Sequence, residues 1–329
     1  MIFSFTICSA NYLPYAKALA DSVIKYNSHH RFIIFLVDRY PKLDLSFCKP
    51  HTIICIDEME IGSFEDMQLK YNIFELSCAI KPFAAEYILK TFKECESLFY
   101  FDSDIQIFNS LLKAEEKLQH SSILITPHFS KPINSRIRSY IERTVLRSGV
   151  FNAGFFGLRR TAETEEFLVW WKKRLETFCY NDTKKGLFVD QLWLNLVPLL
   201  FKSVNVFSDV GYNVAYWNLD ERDISLVNEN FIVNNNSPLV FFHFSGYDFQ
   251  NKNIVSKFLT DYTLDEKKSF LSIFQRYESA VMANEFVECH KLKPLVGKRD
   301  EKKYIKKYNK ILGLKQLDLK GEDFKIKSS

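Results

Sequence analysis

Two carboxylates, Asp102 and Asp104, stand at the end of the apolar run Leu98-Phe99-Tyr100-Phe101, and the apolar pattern resumes at Ile105. Such a run suits a strand buried on both faces. Residues two apart in a strand share a side, so Asp102 and Asp104 are expected to converge, with Ser103 turned away between them. Converging carboxylates beside a dry core repel each other unless a cation neutralises them. Mg²⁺ and Mn²⁺ favour oxygen ligands and often combine one or two carboxylates with substrate phosphates. The chemistry implied is a divalent ion clamped between protein and a phosphorylated substrate. Asp-x-Asp is a short pattern and turns after strands are rich in Asp, so its weight must come from the elements around it.

Those elements alternate. Ile2–Cys8 reads as a strand ending at Ser9-Ala10-Asn11, and a helix follows with Ala16, Leu19, Ala20, Val23 and Ile24 at helical spacing. Arg31–Val37, ending at Asp38, and His51–Ile56 read as further strands. Pro82 suits the first turn of a helix through Tyr87 and Leu89, which leads into the strand before Asp102. Later segments read as a strand at Ser122–Thr126, a turn and strand at Phe151–Leu158, a helix at Glu163–Thr177, a helix start at Val189–Leu194 and an apolar strand at Leu239–Phe244. Thr263-Leu264-Asp265-Glu266 has the form of a capping box for a helix through Phe270, Phe274, Tyr277 and Val281. Alternating strands and helices indicate an α/β fold with a mainly parallel sheet. Ligands of such sheets lie beyond the carboxyl ends of the strands, where Ser9–Asn11, Asp38 and Asp102–Asp104 all fall.

Bulk properties narrow the class. The chain has 329 residues, 47% hydrophobic and 26% charged, with 31 Phe against 10 Gly; this argues against disorder and against a glycine-rich phosphate loop. A net charge of +4 is too small to imply nucleic acid. The seven Cys show no CxxC spacing, which suggests reduced buried thiols and a cytoplasmic setting. The first residues lack the basic region of a secretion signal, and no stretch approaches the length of a transmembrane span. Lys291–Lys327 is Lys-rich with Tyr304, Ile305, Tyr308, Ile311, Leu312 and Leu314 interleaved, either a solvated tail or a segment resting at an anionic membrane surface. The expected division is a catalytic domain over 1–260 and a C-terminal helix with basic tail over 261–329.

The ordered set Asn11-Tyr12, Lys81-Pro82-Phe83, Asp102-Ser103-Asp104, Asn152-Ala153-Gly154, Asp190-Gln191 and His243-Phe244-x-Gly246 resembles the GT-A fold glycosyltransferases, nearest to the retaining glycosyltransferase family 8 group. The resemblance covers roughly residues 1–250. It implies a Rossmann-like nucleotide-diphospho-sugar transferase domain and a cation, Mn²⁺ or Mg²⁺, held by Asp102, Asp104 and His243. A neutral imidazole beside two carboxylates suits Mn²⁺ better. It matches Asn11 and Tyr12 to the nucleoside segment, Lys81 to a basic residue facing the donor, Asn152, Ala153 and Gly154 to the loop lining the donor sugar, and Asp190 and Gln191 to the pair beneath the anomeric carbon. Thr6, Ser9, Asp38, Ser103 and Gly246 complete the donor-binding candidates. Placed at a helix start, Lys81 would oppose the dipole, which itself suggests an anionic partner. Two departures stand out: Ser9 and Ala10 replace acidic residues before the Asn, and Tyr247–Lys252 replaces Lys-Pro-Trp after the Gly.

The resemblance implies a hexosyltransferase-type enzyme moving a sugar, from a UDP-sugar by preference, to an acceptor hydroxyl of a glycan, lipid-linked or protein acceptor, with retention of configuration. A sugar-nucleotidyltransferase and a non-catalytic nucleotide-sugar or glycan-binding module are the alternatives. Val210–Arg222, dense in aromatics and amides, is a candidate platform for sugar rings. Pro127-His128-Phe129 and Arg136–Arg147 are candidates to cover the site.

Overall fold

A computed structural model describes residues 1–134, 138–264, 268–300 and 302–304. The chain runs β1 (Ile2–Cys8), α1 (Leu13–Tyr26), β2 (His30–Leu36), β3 (Thr52–Cys55), α2 (Phe64–Lys70), α3 (Ile73–Thr91), β4 (Ser97–Phe101), β5 (Ile105–Ile107), α4 (Leu112–Gln119), β6 (Ile123–Pro127), α5 (Tyr140–Ser148), β7 (Phe151–Arg159) and α6 (Ala162–Phe178). A small hairpin, β8 (Asn181–Asp182) and β9 (Leu187–Phe188), leads to α7 (Val197–Leu200) and β10 (Val204–Val206). Then come β11 (Ile224–Val227), β12 (Asn230–Val233), β13 (Ser237–Pro238), β14 (Phe241–His243), β15 (Ile254–Ser256), β16 (Leu259–Thr263), α8 (Lys268–Met282) and α9 (Phe286–His290).

The central sheet has seven strands in the order β10-β6-β7-β4-β1-β2-β3. It is mainly parallel, as expected; β7 alone runs antiparallel to both its neighbours, β4 and β6. Alternation along the strands sends apolar side chains to both faces. Phe3, Phe5, Phe35 and Tyr100 pack beneath α3 and α6 with Leu76, Ile80, Phe167 and Trp171. Ile34, Phe99 and Phe101 pack on the other face with Leu19 and Val23 of α1 and Leu118 of α4. All seven cysteines are free and buried in these layers. A third cluster joins Phe242 and Phe244 to Phe270, Phe274 and Tyr277 of α8.

Several local expectations change. Pro82 does not begin a helix. α3 is capped by Asn72, whose Oδ1 accepts from Glu75 N at 3.0 Å while Glu75 Oε2 accepts from Asn72 N at 3.0 Å, a capping box that fixes the helix start upstream. Pro82 is thus interior and removes the donor that would have served the Cys78 carbonyl. Asn152–Gly154 is not a loop but part of β7, bulged where Ile125 pairs with Phe156 and Thr126 with Asn152. Val189–Leu194 opens as a turn and a 3₁₀ segment, Leu192–Leu196, rather than an α-helix; Val189 has φ of +40°, a conformation a β-branched residue continues into a helix poorly. The apolar run at Leu239–Phe244 forms a strand only over Phe241–His243. The capping-box residues Asp265 and Glu266 lie outside the described residues, as do Arg136 and everything after Tyr304.

The C-terminal part folds back on the body. Leu295 N donates to Asp38 Oδ2 at 3.1 Å, and Arg299 pairs with the buried Glu75. No helix among the described residues is long and apolar enough to cross a membrane.

Candidate active site

Asp102 and Asp104 converge, but not through strand alternation. β4 ends at Phe101, and the two aspartates sit in the turn before β5. Asp102 N donates to the Gly154 carbonyl at 2.8 Å and Ile105 N to the Asp102 carbonyl at 3.1 Å. β14 pairs antiparallel with β5, setting His243 opposite Ile105, and Phe244 N donates to the Asp104 carbonyl at 2.8 Å. Backbone pairing therefore carries the imidazole to the turn. His243 Nε2 lies 3.0 Å from Asp104 Oδ1 and 3.8 Å from Asp102 Oδ2.

These atoms suit a divalent cation. One ligand atom from each of Asp102, Asp104 and His243 lies within 4.8 Å of the others. Burial disfavours charge on His243, but Asp104 and Asp102 together outweigh it and raise the imidazole pKa. Burial likewise disfavours charge on Asp104, but His243 holds its pKa down. The pair thus presents a formal anion opposite a nitrogen able to carry positive charge, and a metal ion can replace that proton. Gly154 keeps the space open: a Cβ there would come within 2.5 Å of His243 Cε1 and 2.8 Å of Asp102 Oδ2.

Lys81 is not at a helix end but buried midway along α3, so the dipole argument for it falls. Its Nζ lies 2.8 Å from Asp190 Oδ2 and 3.2 Å from Asp102 Oδ1. It also donates to the Ala153 carbonyl at 3.0 Å and lies over the Tyr100 ring. Tyr100 OH donates to Asp102 Oδ1 at 2.6 Å. Burial would lower the ammonium pKa, but Asp102 and Asp190 raise it well above the usual lysine range. Burial lifts the Asp190 carboxyl in spite of Lys81.

A second network orients the amides. His128 Nδ1 lies 3.1 Å from the Val150 carbonyl, and Asn152 Nδ2 lies 3.4 Å from His128 Nε2. Burial pushes the His128 pKa down to about 4, so the ring is neutral, donating at Nδ1 and accepting at Nε2. Asn152 Oδ1 accepts from Gly154 N at 3.0 Å. Gln191 Oε1 accepts from Ala153 N at 3.2 Å, and Gln191 Nε2 donates to the Ser148 carbonyl at 3.0 Å.

All of this surrounds one cavity of about 780 Å³, within the size range of small-molecule sites. Its wall takes in Ser9, Tyr12, Lys81, Asp102, Ser103, Asp104, Asn152, Ala153, Gly154, Asp190, Gln191, His243 and Gly246. Thr6, Asn11 and Asp38 are not on it. Thr6 is buried with its hydroxyl unpaired. Asn11 Oδ1 accepts from Ser9 Oγ at 2.6 Å. Both Asp38 oxygens serve backbone donors, Ala10 N at 2.6 Å and Leu295 N.

Other residues enter that sequence reading did not single out. Lys257 and Phe258, at the tip between β15 and β16, line the cavity with Phe74 and Ser77 of α3. The tip packs on Gly246, whose φ is +73° and where a Cβ would meet Ser256 Oγ and the Phe258 ring at 2.7 Å. Lys252, which ends the segment standing in place of Lys-Pro-Trp, pairs with Glu278 and is not on the wall. Of the aromatic segment Val210–Arg222, Tyr216 and Trp217 reach the wall, and Trp217 stands edge-on to His243. Tyr140 to Ser148 of α5 forms one side, while His128 is buried inside rather than spread over the opening.

No protein-family model matches this chain. It is 27% identical over 198 residues to the uncharacterised protein YfnD of Bacillus subtilis (strain 168), covering 60% of this chain and 61% of that one. It is 27% identical over 179 residues to the uncharacterised protein YfnF of the same organism, covering 53% and 57%. The chain therefore spans less than two thirds of the length of these curated relatives. Among solved structures it is similar to the apo form of the bifunctional glycosyltransferase WbbM, with a TM-score of 0.52 and 14% identity over 88% of this chain and 51% of that one. That likeness concerns the fold, which is the GT-A type of α/β architecture expected from the sequence.

Proposed function

We propose that this chain is a metal-dependent glycosyltransferase that moves a sugar from a nucleotide-diphosphate sugar, a UDP-sugar by preference, to an acceptor hydroxyl with retention of configuration. The observation that carries the reading is the convergence of Asp102, Asp104 and His243 above the space kept by Gly154. The fold shared with a bifunctional glycosyltransferase supports it. Mn²⁺ suits the mixed oxygen and nitrogen donors best, and Mg²⁺ is the second choice. When bound, the cation supplies Lewis-acid stabilisation of the charge that develops on the leaving diphosphate.

The chain's own residues do the rest. Lys81 neutralises Asp190 and Asp102, so that the carboxylates beneath the sugar and at the cation are held in place without mutual repulsion. Asn152, locked by His128 and Gly154 N, presents its amide to sugar hydroxyls. Gln191, held by Ala153 N and the Ser148 carbonyl, places a fixed dipole beside the anomeric carbon, where positive charge develops. An amide is a poor nucleophile, so substitution on the face from which the diphosphate leaves is favoured over a covalent intermediate. The departing phosphate takes the acceptor's proton, and no dedicated base is assigned. Tyr216 and Trp217 offer rings against a sugar. The acceptor class is a glycan, a lipid-linked sugar or a protein.

The test is incubation with Mn²⁺ and a panel of nucleotide sugars, with free nucleoside diphosphate as the readout. Release that stops with a chelator and with Asp104→Asn supports the proposal. Pyrophosphate exchange in its place would make the chain a nucleotidyltransferase, and binding without turnover across donors and acceptors would make it a binding module.

A further inference from the structure

The opposite end of the sheet holds a second set of ligand-type side chains. His29 lies in the turn before β2 and His30 is the first residue of that strand. Because His29 precedes the alternating part of the strand, the two rings need not point to opposite faces. Both turn Nε2 to one carboxylate of α4: His29 Nε2 is 3.0 Å from Glu115 Oε2, and His30 Nε2 is 3.0 Å from Glu115 Oε1. One ligand atom from each residue lies within 4.8 Å of the others.

The setting is that of a supported ligand rather than a loose surface pair. His30 and Glu115 are buried, and His29 is half exposed. The His30 ring is stacked on Phe99, which in turn stacks on Phe155. Its remaining nitrogen, Nδ1, lies 2.7 Å from the fully buried Ser4 Oγ. A metal-bound imidazole characteristically has such a partner at its second nitrogen, fixing tautomer and ring orientation.

We propose that His29, His30 and Glu115 form a divalent-cation site of the zinc type, joining the turn after α1 to α4. Two imidazoles and one carboxylate match the donor set of zinc with a fourth position left to water. Bonds of about 2.0–2.1 Å in a tetrahedral shell place neighbouring ligand atoms a few tenths of an ångström further apart than the two 3.0 Å imidazole–carboxylate contacts here, a shift the half-exposed His29 can make. Coordination at both Nε2 atoms leaves the protons on Nδ1, which in His30 faces the Ser4 hydroxyl. The site lies at the amino ends of β1 and β2, about 20 Å from the cavity by strand length. It is independent of the proposed sugar transfer.

The experiment is calorimetric titration of the full chain with Zn²⁺ on an Asp102→Asn, Asp104→Asn background, where the cavity cluster is disabled, with Co²⁺ as a spectroscopic substitute that would report the thiolate of the third ligand-type group, Cys55, Asp57 and Glu58. The expected result is one Zn²⁺ per chain, a Co²⁺ spectrum without a thiolate charge-transfer band, and affinity roughly tenfold or more weaker in His29→Gln. His29 is exposed enough for that variant to fold, which circular dichroism verifies; Glu115→Gln provides a second arm. Unchanged Zn²⁺ affinity in His29→Gln, a thiolate band, or no binding in the parent would overturn the assignment. His29→Gln in the otherwise native chain leaves Mn²⁺-dependent donor turnover unchanged, which separates this outcome from failure of the proposed activity.

Discussion

The Lys81 ammonium stands 2.8 Å from the Asp190 carboxylate, and both groups are buried. Lys81 also reaches Asp102, so a single cation spans the carboxylate at the proposed metal cluster and the one beneath the proposed sugar position. Removing one partner of a buried pair strands the other, at a cost of about 3–5 kcal/mol. Lys81→Met should lose that much stability in urea unfolding. Adding Asp190→Asn should restore part of it, because the stranded charge is removed as well. Additive losses would contradict the coupling.

Gly154→Ala tests the space above the turn. A methyl group there meets His243, Asn152 and Asp102 within 2.8 Å. The variant should fold with cooperative unfolding, yet bind Mn²⁺ more than tenfold more weakly than the parent by electron paramagnetic resonance titration. Unchanged Mn²⁺ affinity would show that the ion does not use this space.

His128 gives a pH dependence with a definite sign. Its folded pKa is pushed down to about 4 by burial, against about 6.5 in an unfolded chain. The unfolded state therefore binds the proton first as pH falls. The neutral ring's contribution is fully present above about pH 6.5 and is lost progressively down to about pH 4. The slope is about 1.4 kcal/mol per pH unit, and the total about 3 kcal/mol. Urea unfolding between pH 7 and 5 should show this slope, and His128→Gln should lessen it; equal slopes in both proteins would refute the assignment.

Asp38 fastens the C-terminal segment through Ala10 N and Leu295 N. Hydrogen bonds to a charged group contribute about 1.5–3 kcal/mol each. Asp38→Ala should lower stability by a few kcal/mol, in line with that figure, and speed amide exchange at Leu295. Unchanged exchange at Leu295 would show that the clasp is incidental.

Much of this arrangement is legible in the sequence because it rests on strong local signals. The apolar runs of β1, β2 and β4 have no other economical placement than a doubly covered sheet, and Asp102 and Asp104 interrupt theirs abruptly. His243 is readable only through the resemblance carried by His243-Phe244-x-Gly246, since a lone imidazole in an apolar run is more often a satisfied core residue. Less legible are features decided by tertiary contact. Pro82 looks like a helix start, but the Asn72–Glu75 box outweighs it. Lys81 looks like a helix-start residue until the Asn72–Glu75 box moves that start upstream and α3, laid on the sheet, buries the side chain. The bulge at Asn152–Gly154 depends on β6, far away in sequence. Lys257 and Phe258 are not singled out by any pattern in the sequence, and their place on the cavity wall comes from packing against Gly246. Asp38 falls at a strand end as expected, yet the later segment around Leu295 takes up its free oxygen.

The central claim is that Asp102, Asp104 and His243 hold one cation in the cavity. Crystals grown with Mn²⁺ and a nucleoside diphosphate, with anomalous data collected for manganese, test it most directly. The account predicts a single strong cavity peak bonded to these three side chains and to the diphosphate. A peak at other residues with these three unligated, or no peak in the cavity, would contradict it.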